Sequence, residues 1–291
     1  MTYDLYIGDH TFSSWSLRGW LMMAKFNIPH RTHMVGLYSG TMAADMAALA
    51  PARLVPAMRC PDDTVVGESM AMAETLAEQN PDAGLWPADP AARATARWLC
   101  AEMAAGFTAL RGACPMQLSH VWEGFKPSDA VLVDLERIET LWSHARNVSG
   151  AATGWLFGDY SLADVFYTPV AARVIGFGLP VSDESRAYCL QLLSDFSVRQ
   201  WRAMGLTKSY DPFPYPMPLE QNAWPISAPL NARPVDAGPS VNADCPYSGD
   251  PVTHFLELDG KVWGFCNAFC RDKTVADPGA WPKFTALLER G

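Results

Sequence analysis

Residues 54–71 constrain the fold more than any other stretch of the chain, because they predict three elements in immediate succession. Two short apolar runs, 55–60 and 64–66, flank a turn-forming Pro-Asp-Asp triplet, which is the pattern of a β-hairpin. A helix rich in Ala, Met and Leu follows, and it begins at Glu68 and Ser69. The pattern therefore places a carboxylate and a hydroxyl at a helix N-terminus, where unpaired N–H groups favour a bound carboxylate. Ser69 can cap this helix as well as hold a ligand.

Pro56 opens the first strand of this hairpin, where a proline is tolerated because its missing N–H removes no ladder hydrogen bond. A cis bond between Val55 and Pro56 would turn the N–H and C=O of Val55 outward, toward an extended peptide-like ligand. Without such a ligand, the segment is an ordinary hairpin followed by a capped helix.

Val55-Pro56, followed about a dozen residues later by Glu68-Ser69-x-Ala, resembles the glutathione-binding half of the glutathione transferase superfamily. In that family the Val-Pro bond is cis and pairs with the cysteinyl backbone of glutathione, while the Glu-Ser pair holds the γ-glutamyl end. The resemblance implies that Val55 and Pro56 make the backbone contact here. It also implies that Glu68 and Ser69 hold the glutamyl group.

The first eighty residues predict the element order β-α-β-α-β-β-α, which fits a thioredoxin-like sheet with the parallel crossover placed first. Residues 3–8 and 31–37 alternate as strands, and a helix between them runs to about Asn27. A helical patch over 42–49 precedes the hairpin.

The run Ser13-Ser14-Trp15-Ser-Leu-Arg18 follows the first strand and resembles the active-site motif of serine-type glutathione transferases. The zeta class is closest, with the pattern Ser-Ser-Cys-Ser-x-Arg. A hydroxyl that donates to the glutathione sulfur at a helix N-terminus favours the attacking thiolate. The resemblance implies Ser13 as the first choice for this donor and Ser14 as the second, although such serines are also good N-caps. Arg18 is interpreted as a structural or interdomain ion-pair partner.

Trp15 stands where the zeta pattern has cysteine. It would form a wall of the substrate pocket, or lie in the core or an interface. The zeta resemblance also implies cis–trans isomerisation or glutathione-dependent dehalogenation, and this substitution argues against both. The electrophile is predicted to bind near Trp15, Met103 or Phe107.

A linker rich in Pro and Gly over 80–90 predicts a domain boundary. Beyond it no strand is predicted for about a hundred residues, and helical spacing predicts an all-α bundle. The predicted helices cover 91–112, 128–147, 165–178 and 184–203. Ser161 and Asp164 form a capping box before the third of them, which resembles the structural folding motif of transferase helical domains.

A net charge of −9 argues against binding to nucleic acid or to an anionic membrane, since no basic stripe compensates for it. No run of about 18 apolar residues and no signal-peptide pattern is present, so the expected location is the cytoplasm. The seven cysteines, an odd number, argue against a disulfide framework and favour metal binding by the C-terminal group.

Eight prolines over 209–244 exclude regular helix and predict an extended strap. Aromatic residues interleave with the prolines, so the strap is predicted to lie on the folded body. They are Tyr210, Phe213, Tyr215 and Trp224.

Twenty residues separate Cys245 from Cys266, and three separate Cys266 from Cys270. The second and third cysteines would share a helix face, so that both thiolates reach one ion. With the hairpin signal Asp259-Gly260, this spacing resembles zinc-ribbon-like domains of the TRASH and YHS type. Ser248 stands where many such domains have a further cysteine.

Zinc would therefore need a fourth ligand, for which His254 and Asp272 are the candidates. The alternative is a hydrophobic mini-core of reduced cysteines.

The sequence thus predicts an α/β thioredoxin-like domain over 1–80 and an all-α transferase domain over 90–206. A proline-rich strap over 207–243 and a small Cys-rich, treble-clef-like, metal-binding appendix over 244–291 follow. The resemblance covers 3 to about 205 and implies a homodimeric enzyme in which glutathione thiolate attacks a small hydrophobic electrophile. The alternative is a non-catalytic binding module that uses the appendix to dock a partner or sense metal. The absence of cysteine at 13–16 argues against thiol–disulfide exchange.

Overall fold

The computed structural model describes residues 2–208, 212–226 and 230–290, so the predicted strap residue Tyr210 lies outside the described residues. The chain divides into two compact units. The first comprises the chain up to Leu193 together with Phe213–Ala223, and the second comprises Ser194–Pro212 together with the chain from Trp224 onward. No helix in the described part of either unit is long and apolar enough to cross a membrane.

The N-terminal part of the first unit is a thioredoxin-like α/β layer with the predicted element order. Its four strands lie in the order β2-β1-β3-β4, with β1 parallel to β2 and the other pairs antiparallel. The elements are β1 (Tyr3–Ile7), α1 (Ser14–Ala24), β2 (His30–Met34), α2 (Met42–Asp45), β3 (Ala57–Arg59), β4 (Val65–Val66) and α3 (Ser69–Gln79).

Helix α1 packs closely on the turn that precedes β3, where the peptide bond between Val55 and Pro56 is cis. The contact needs a glycine, because a Cβ on Gly19 would lie 2.6 Å from the Cβ of Pro56. The N-terminus of α1 is thereby held beside the hairpin.

The helical part of the first unit confirms the predicted all-α bundle, with α6 close to its predicted bounds. Two boundaries differ from the sequence prediction. The helix predicted over 91–112 is two helices, since Phe107 adopts a left-handed φ of 54° between them. The helix predicted over 184–203 also breaks, because the Asp195 side chain caps a new helix by accepting from the N–H of Ser197 at 2.9 Å. The elements are α4 (Pro90–Ala105), α5 (Thr108–Ala113), β5 (His120–Glu123), α6 (Asp129–Ser149), α7 (Leu162–Gly176) and α8 (Asp183–Ser194).

Strand β5 corrects the prediction that this region contains no strand. It pairs antiparallel with β6 (Glu220–Ala223), with His120 opposite Ala223 and Glu123 opposite Glu220. Its partner lies about a hundred residues further along the chain, so local sequence spacing carried little sign of it.

Helix α7 is buried along its whole length, and the predicted capping box at its start is confirmed. The Ser161 N–H donates to the Asp164 carboxylate at 2.8 Å, and the Tyr188 hydroxyl donates to it at 2.8 Å. Burial raises the pKa of Asp164, and these hydrogen bonds act in the opposite direction. Asp164 is therefore a structural residue that holds three segments together.

The second unit contains α9 (Phe196–Gly205), a three-stranded sheet in the order β7-β8-β9, and two further helices. The predicted hairpin turn at Asp259-Gly260 has positive φ at both residues, as a type I′ turn requires. Arg199 on α9 forms a two-pronged ion pair with Asp277, at 2.6 and 2.8 Å. The remaining elements are β7 (Arg233–Val235), β8 (His254–Leu258), β9 (Lys261–Phe265), α10 (Ala268–Ala276) and α11 (Pro282–Leu288).

We expect Asp164→Ala to lower the free energy of unfolding by about 3 kcal/mol, because it leaves buried donors of Ser161 and Tyr188 without an acceptor. Urea denaturation followed by circular dichroism measures this. The matched control is Asp159→Ala at an exposed position, which should change stability by less than about 0.5 kcal/mol. Equal stability of the two variants would contradict the structural role.

Candidate functional site

A cavity of about 920 Å³ lies in the first unit between the thioredoxin-like layer, the helical part and the segment that precedes β6. Seven residues singled out from the sequence line it together, although they come from three separate segments. They are Ser13, Ser14, Trp15, Val55, Pro56, Glu68 and Ser69.

Both candidate serines lie at the start of α1 and are almost fully buried. Ser13 is the N-cap residue, but its hydroxyl does not bond to the helix amides. It donates instead to the Ser16 hydroxyl at 2.8 Å, and that oxygen also accepts from the N–H of Gly8 at 2.9 Å. The Ser13 hydroxyl can therefore turn toward a ligand without uncapping the helix.

Glu68, not Ser69, caps α3, which corrects the prediction for the capping role. The Glu68 carboxylate accepts from the N–H groups of Met70 and Ala71 at 2.7 and 3.0 Å. The Ser69 hydroxyl donates to the same carboxylate at 3.0 Å. The extended backbone of Glu68, with φ −137°, lets its longer side chain fold back onto the first helical turn. Three donors therefore hold the Glu68 carboxylate in a fixed position at this end of the cavity.

Two predicted pocket residues, Met103 and Phe107, do not line the cavity. Met103 is fully buried in α4, and Phe107 is buried at the break before α5. That break brings the next turn of chain to the cavity wall instead, and the wall includes Thr108 and Arg111.

Arg111 and Arg173 line the helical side of the cavity, and Arg18 lies behind them. The guanidinium carbons of Arg18 and Arg111 lie 4.6 and 4.4 Å from the centre of the Trp15 ring. Arg18 is fully buried, and its three side-chain nitrogens have no hydrogen-bond partner among the described residues. The predicted ion pair of Arg18 is therefore wrong for the described part of the chain, where the side chain stacks on Trp15 and Phe166.

Burial lowers the pKa of each of Arg18, Arg111 and Arg173 and is the largest cause for all three. Burial, with the nearby charges of Arg173 and Arg111, lowers the pKa of Arg18 to about 9. Burial lowers the pKa of Arg173 to about 10, with Arg111 acting in the same direction. The Nε atoms of Arg111 and Arg173 are also buried without a partner among the described residues. The helical side of the cavity thus holds positive charge that no described carboxylate neutralises.

Sequence reasoning missed Arg111 and Arg173. A signal for Arg173 was present, because it is the one charged residue in the run 165–178, which otherwise predicts a buried helix. Arg111 carried a similar signal, since it is the one Asp, Glu, Lys or Arg between Glu102 and Glu123.

The second unit brings the three C-terminal cysteines together. Their sulfur atoms lie within 4.8 Å of one another, and the sulfurs of Cys266 and Cys270 are 3.9 Å apart. In a tetrahedral zinc–thiolate centre with Zn–S bonds of about 2.3 Å, neighbouring sulfurs are about 3.8 Å apart. The donor set and its spacing therefore fit zinc.

The two side chains predicted as candidates for a fourth zinc ligand lie outside the cysteine cluster. His254 bonds to Thr253 and Asp272 pairs with Arg271, and neither joins the cysteine cluster. The Ser248 hydroxyl is the side chain at this place, where it donates to the Cys266 sulfur at 3.3 Å. Cys266 also precedes α10, so the predicted shared helix face is wrong although the two sulfurs are adjacent.

Comparison with known proteins is consistent with this geometry. Residues 12–79 match the family model of the glutathione S-transferase N-terminal domain. The chain is 30% identical over 171 residues to a probable maleylacetoacetate isomerase of Caenorhabditis elegans, covering 58% of this chain and 77% of that protein.

Solved structures share the fold. A Burkholderia glutathione transferase homologue with bound glutathione is 24% identical, with a TM-score of 0.51, covering 69% of this chain and 96% of that one. A Pseudomonas fluorescens family member with two bound glutathione molecules is 17% identical, with a TM-score of 0.51, covering 69% and 92%. The chain belongs to the glutathione transferase family.

Proposed function

We propose that the first unit binds glutathione, activates its thiol through Ser13, and directs the thiolate at an electrophile that carries a carboxylate. The observation that carries the proposal is the charge distribution of one cavity: Glu68 at one side, and Arg111 and Arg173 at the other. The bound glutathione named for two structures of the same fold supports the choice of thiol.

The glutamyl end of glutathione carries both an ammonium and a carboxylate, and the N-terminus of α3 suits both. The ammonium would pair with the Glu68 carboxylate, since opposite charges attract strongly in a partly buried site. The glutamyl carboxylate would accept from the Ser69 hydroxyl, which would turn from Glu68 to donate to it, near the positive end of the helix dipole. The cysteinyl backbone would lie along Val55, beside the cis bond to Pro56.

Activation of sulfur follows from the position of Ser13 at the start of α1. The Ser13 hydroxyl would turn from Ser16 to donate to the sulfur, and a hydrogen bond to the charged form favours thiolate over thiol. The thiolate then forms a bond to the electrophilic carbon, and the leaving group departs with its electron pair. The serine acts as a donor and forms no covalent bond.

The electrophile would carry an anionic group because Arg111 and Arg173, which donate to backbone carbonyls but to no described carboxylate, lie where it would bind. A carboxylate could accept from Arg111 and Arg173, whose Nε atoms have no partner among the described residues. The name of the similar C. elegans protein specifies an acetoacetate substrate, which supports an acidic electrophile. The predicted small hydrophobic electrophile is thereby refined to one with both an apolar body and a negative charge.

We expect Ser13→Ala to lower kcat/KM about 10- to 100-fold at neutral pH, because it removes the donor that stabilises the thiolate. The same variant should raise the pKa of bound glutathione, which ultraviolet absorbance of the thiolate measures. Ser14→Ala is the matched control and should change kcat/KM less than about fivefold. A larger loss in Ser14→Ala would assign the donor to Ser14.

We expect Arg173→Met to lower kcat/KM for 4-(chloromethyl)benzoate about 10- to 100-fold, because a charge-assisted hydrogen bond to the carboxylate is lost. Benzyl chloride has the same reacting carbon without the carboxylate, so its kcat/KM should change less than threefold. Arg137→Met, an exposed arginine outside the cavity, is the control variant. An equal loss with both electrophiles would contradict a carboxylate-binding role.

A second candidate function concerns the second unit, where the sulfur spacing favours a structural zinc ion. Cys245, Cys266 and Cys270 would hold the ion and link the loop at 245 to the start of α10. Three thiolates and Zn²⁺ leave one net negative charge, and the Lys273 ammonium lies close enough to interact with all three sulfurs. That ammonium is held 4.1 Å from the Tyr247 ring and 4.2 Å from the Trp281 ring.

We expect the full chain, purified without chelator, to contain about one zinc per molecule and Cys266→Ala to contain none. Ser248→Cys should complete a four-thiolate set and raise zinc affinity at least tenfold in competition with a chromophoric chelator. Mass spectrometry of the intact metal-bound chain gives the stoichiometry. Failure of both the native chain and Ser248→Cys to retain zinc would favour a reduced cysteine mini-core.

A further inference from the structure

The cavity is completed by a part of the chain that lies beyond the transferase fold. The strap segment, Phe213–Ala223, belongs to the first unit, and its residues Tyr215, Pro216 and Met217 line the cavity. None of these residues falls within the match to the family model, which ends at residue 79. The strap segment is therefore a wall of the cavity that the matched N-terminal domain does not supply.

Two sets of contacts fix the strap segment in place. At its end, β6 pairs with β5 over four residues. At its start, Phe213 packs edge-on against Phe12 and contacts Trp122, with ring centres 6.5 Å apart in each pair. Because both ends are held, the residues between them keep one position relative to the cavity.

Tyr215 joins the strap segment to the opposite rim. Its ring lies edge-on to that of Tyr38 with centres 6.3 Å apart, and the two hydroxyls are hydrogen bonded. It also lies edge-on to Phe213, at 5.5 Å. Tyr215 nevertheless remains 45% exposed and Tyr38 63% exposed. Aromatic surface at the mouth of the cavity is therefore open to a ligand.

The aromatic rim and the arginines contact residues on either side of Ser13 in the sequence. Phe12 directly precedes Ser13 and lies 5.8 Å from Tyr38, whereas Trp15 follows Ser13 and contacts Arg111. A thiolate held at Ser13 would thus lie in a cavity lined by both aromatic rings and guanidinium groups. This combination fits a molecule with an aromatic body and a negatively charged group.

We propose that the strap segment forms the electrophile wall of the cavity and that Tyr215 determines specificity for electrophiles with an aromatic body. The inference rests on the proposed function, since it assumes that glutathione occupies the same cavity. Apolar contact with the exposed rim contributes through burial of aromatic surface, and edge-on ring pairs add to it.

The test compares the binding of two glutathione conjugates to the full chain by calorimetry. S-benzylglutathione places a ring where the electrophile would lie, and S-methylglutathione does not. Tyr215→Ala should weaken S-benzylglutathione at least fivefold and change S-methylglutathione less than twofold. Tyr215→Phe keeps the ring and should stay within about threefold of the native chain for both ligands.

Phe269→Ala is the matched control, because Phe269 is 46% exposed and does not line the cavity. It should change neither dissociation constant more than twofold. If Tyr215→Ala weakens the binding of both conjugates equally, Tyr215 contacts glutathione itself. If it weakens the binding of neither, Tyr215 does not belong to the site. Both results overturn the specificity role while leaving the proposed function intact. Failure of the native chain to bind S-methylglutathione would overturn the proposed function and this inference together.

Discussion

The close contact between α1 and the turn before β3 is the constraint on which the cavity depends. Gly19 allows it, since a Cβ there would lie 2.6 Å from Pro56 and 3.4 Å from the terminal methyl of Met72 on α3. The N-terminus of α1, the cis-proline turn and the N-terminus of α3 therefore meet around one residue without a side chain. A larger residue would separate the serines from Glu68, because the Pro56 ring is closed onto its own backbone and cannot move aside as a flexible side chain can.

The buried arginines are the feature of the fold that packing alone does not explain. An ion taken out of water without a partner costs several kcal/mol even after the surroundings relax, and methionine or leucine would fill the same volume. The Trp15 and Phe166 rings offset part of this cost for Arg18, by about 0.5–2 kcal/mol for each cation–π contact. The cost persists in the free protein, and an anion in the cavity would reduce it. Buried charges that lower the stability of the free protein are expected where a bound ligand supplies the opposite charge.

Local patterns in the sequence predicted the parts of the site that depend on short stretches of chain. The hairpin at 55–66, the two helix starts and the capping box at Ser161 each need only residues that are neighbours along the chain. The wall formed by Arg111, Arg173 and Tyr215 could not be predicted in this way, because its members lie up to about a hundred residues apart. The break at Phe107 determines which residues of α4 and α5 face the cavity. The helical spacing of the sequence continues across this break, so the spacing gave no sign of it. The homodimer, the cytoplasmic location and the bounds of the four predicted segments stay predictions.

The distribution of charge also determines the direction in which a conjugate would lie. Glu68 would attract the glutamyl ammonium, and Glu68 together with the glutamyl carboxylate would repel the electrophile's acidic group from the end where glutathione would be held. Arg111 and Arg173 have the opposite preference, and the aromatic rim with Tyr215 favours neither charge. Three chemically different walls thus meet around Ser13, and only one orientation of a charged aromatic electrophile satisfies all of them. The thioredoxin-like layer supplies the first wall, the helical bundle the second, and the strap segment the third.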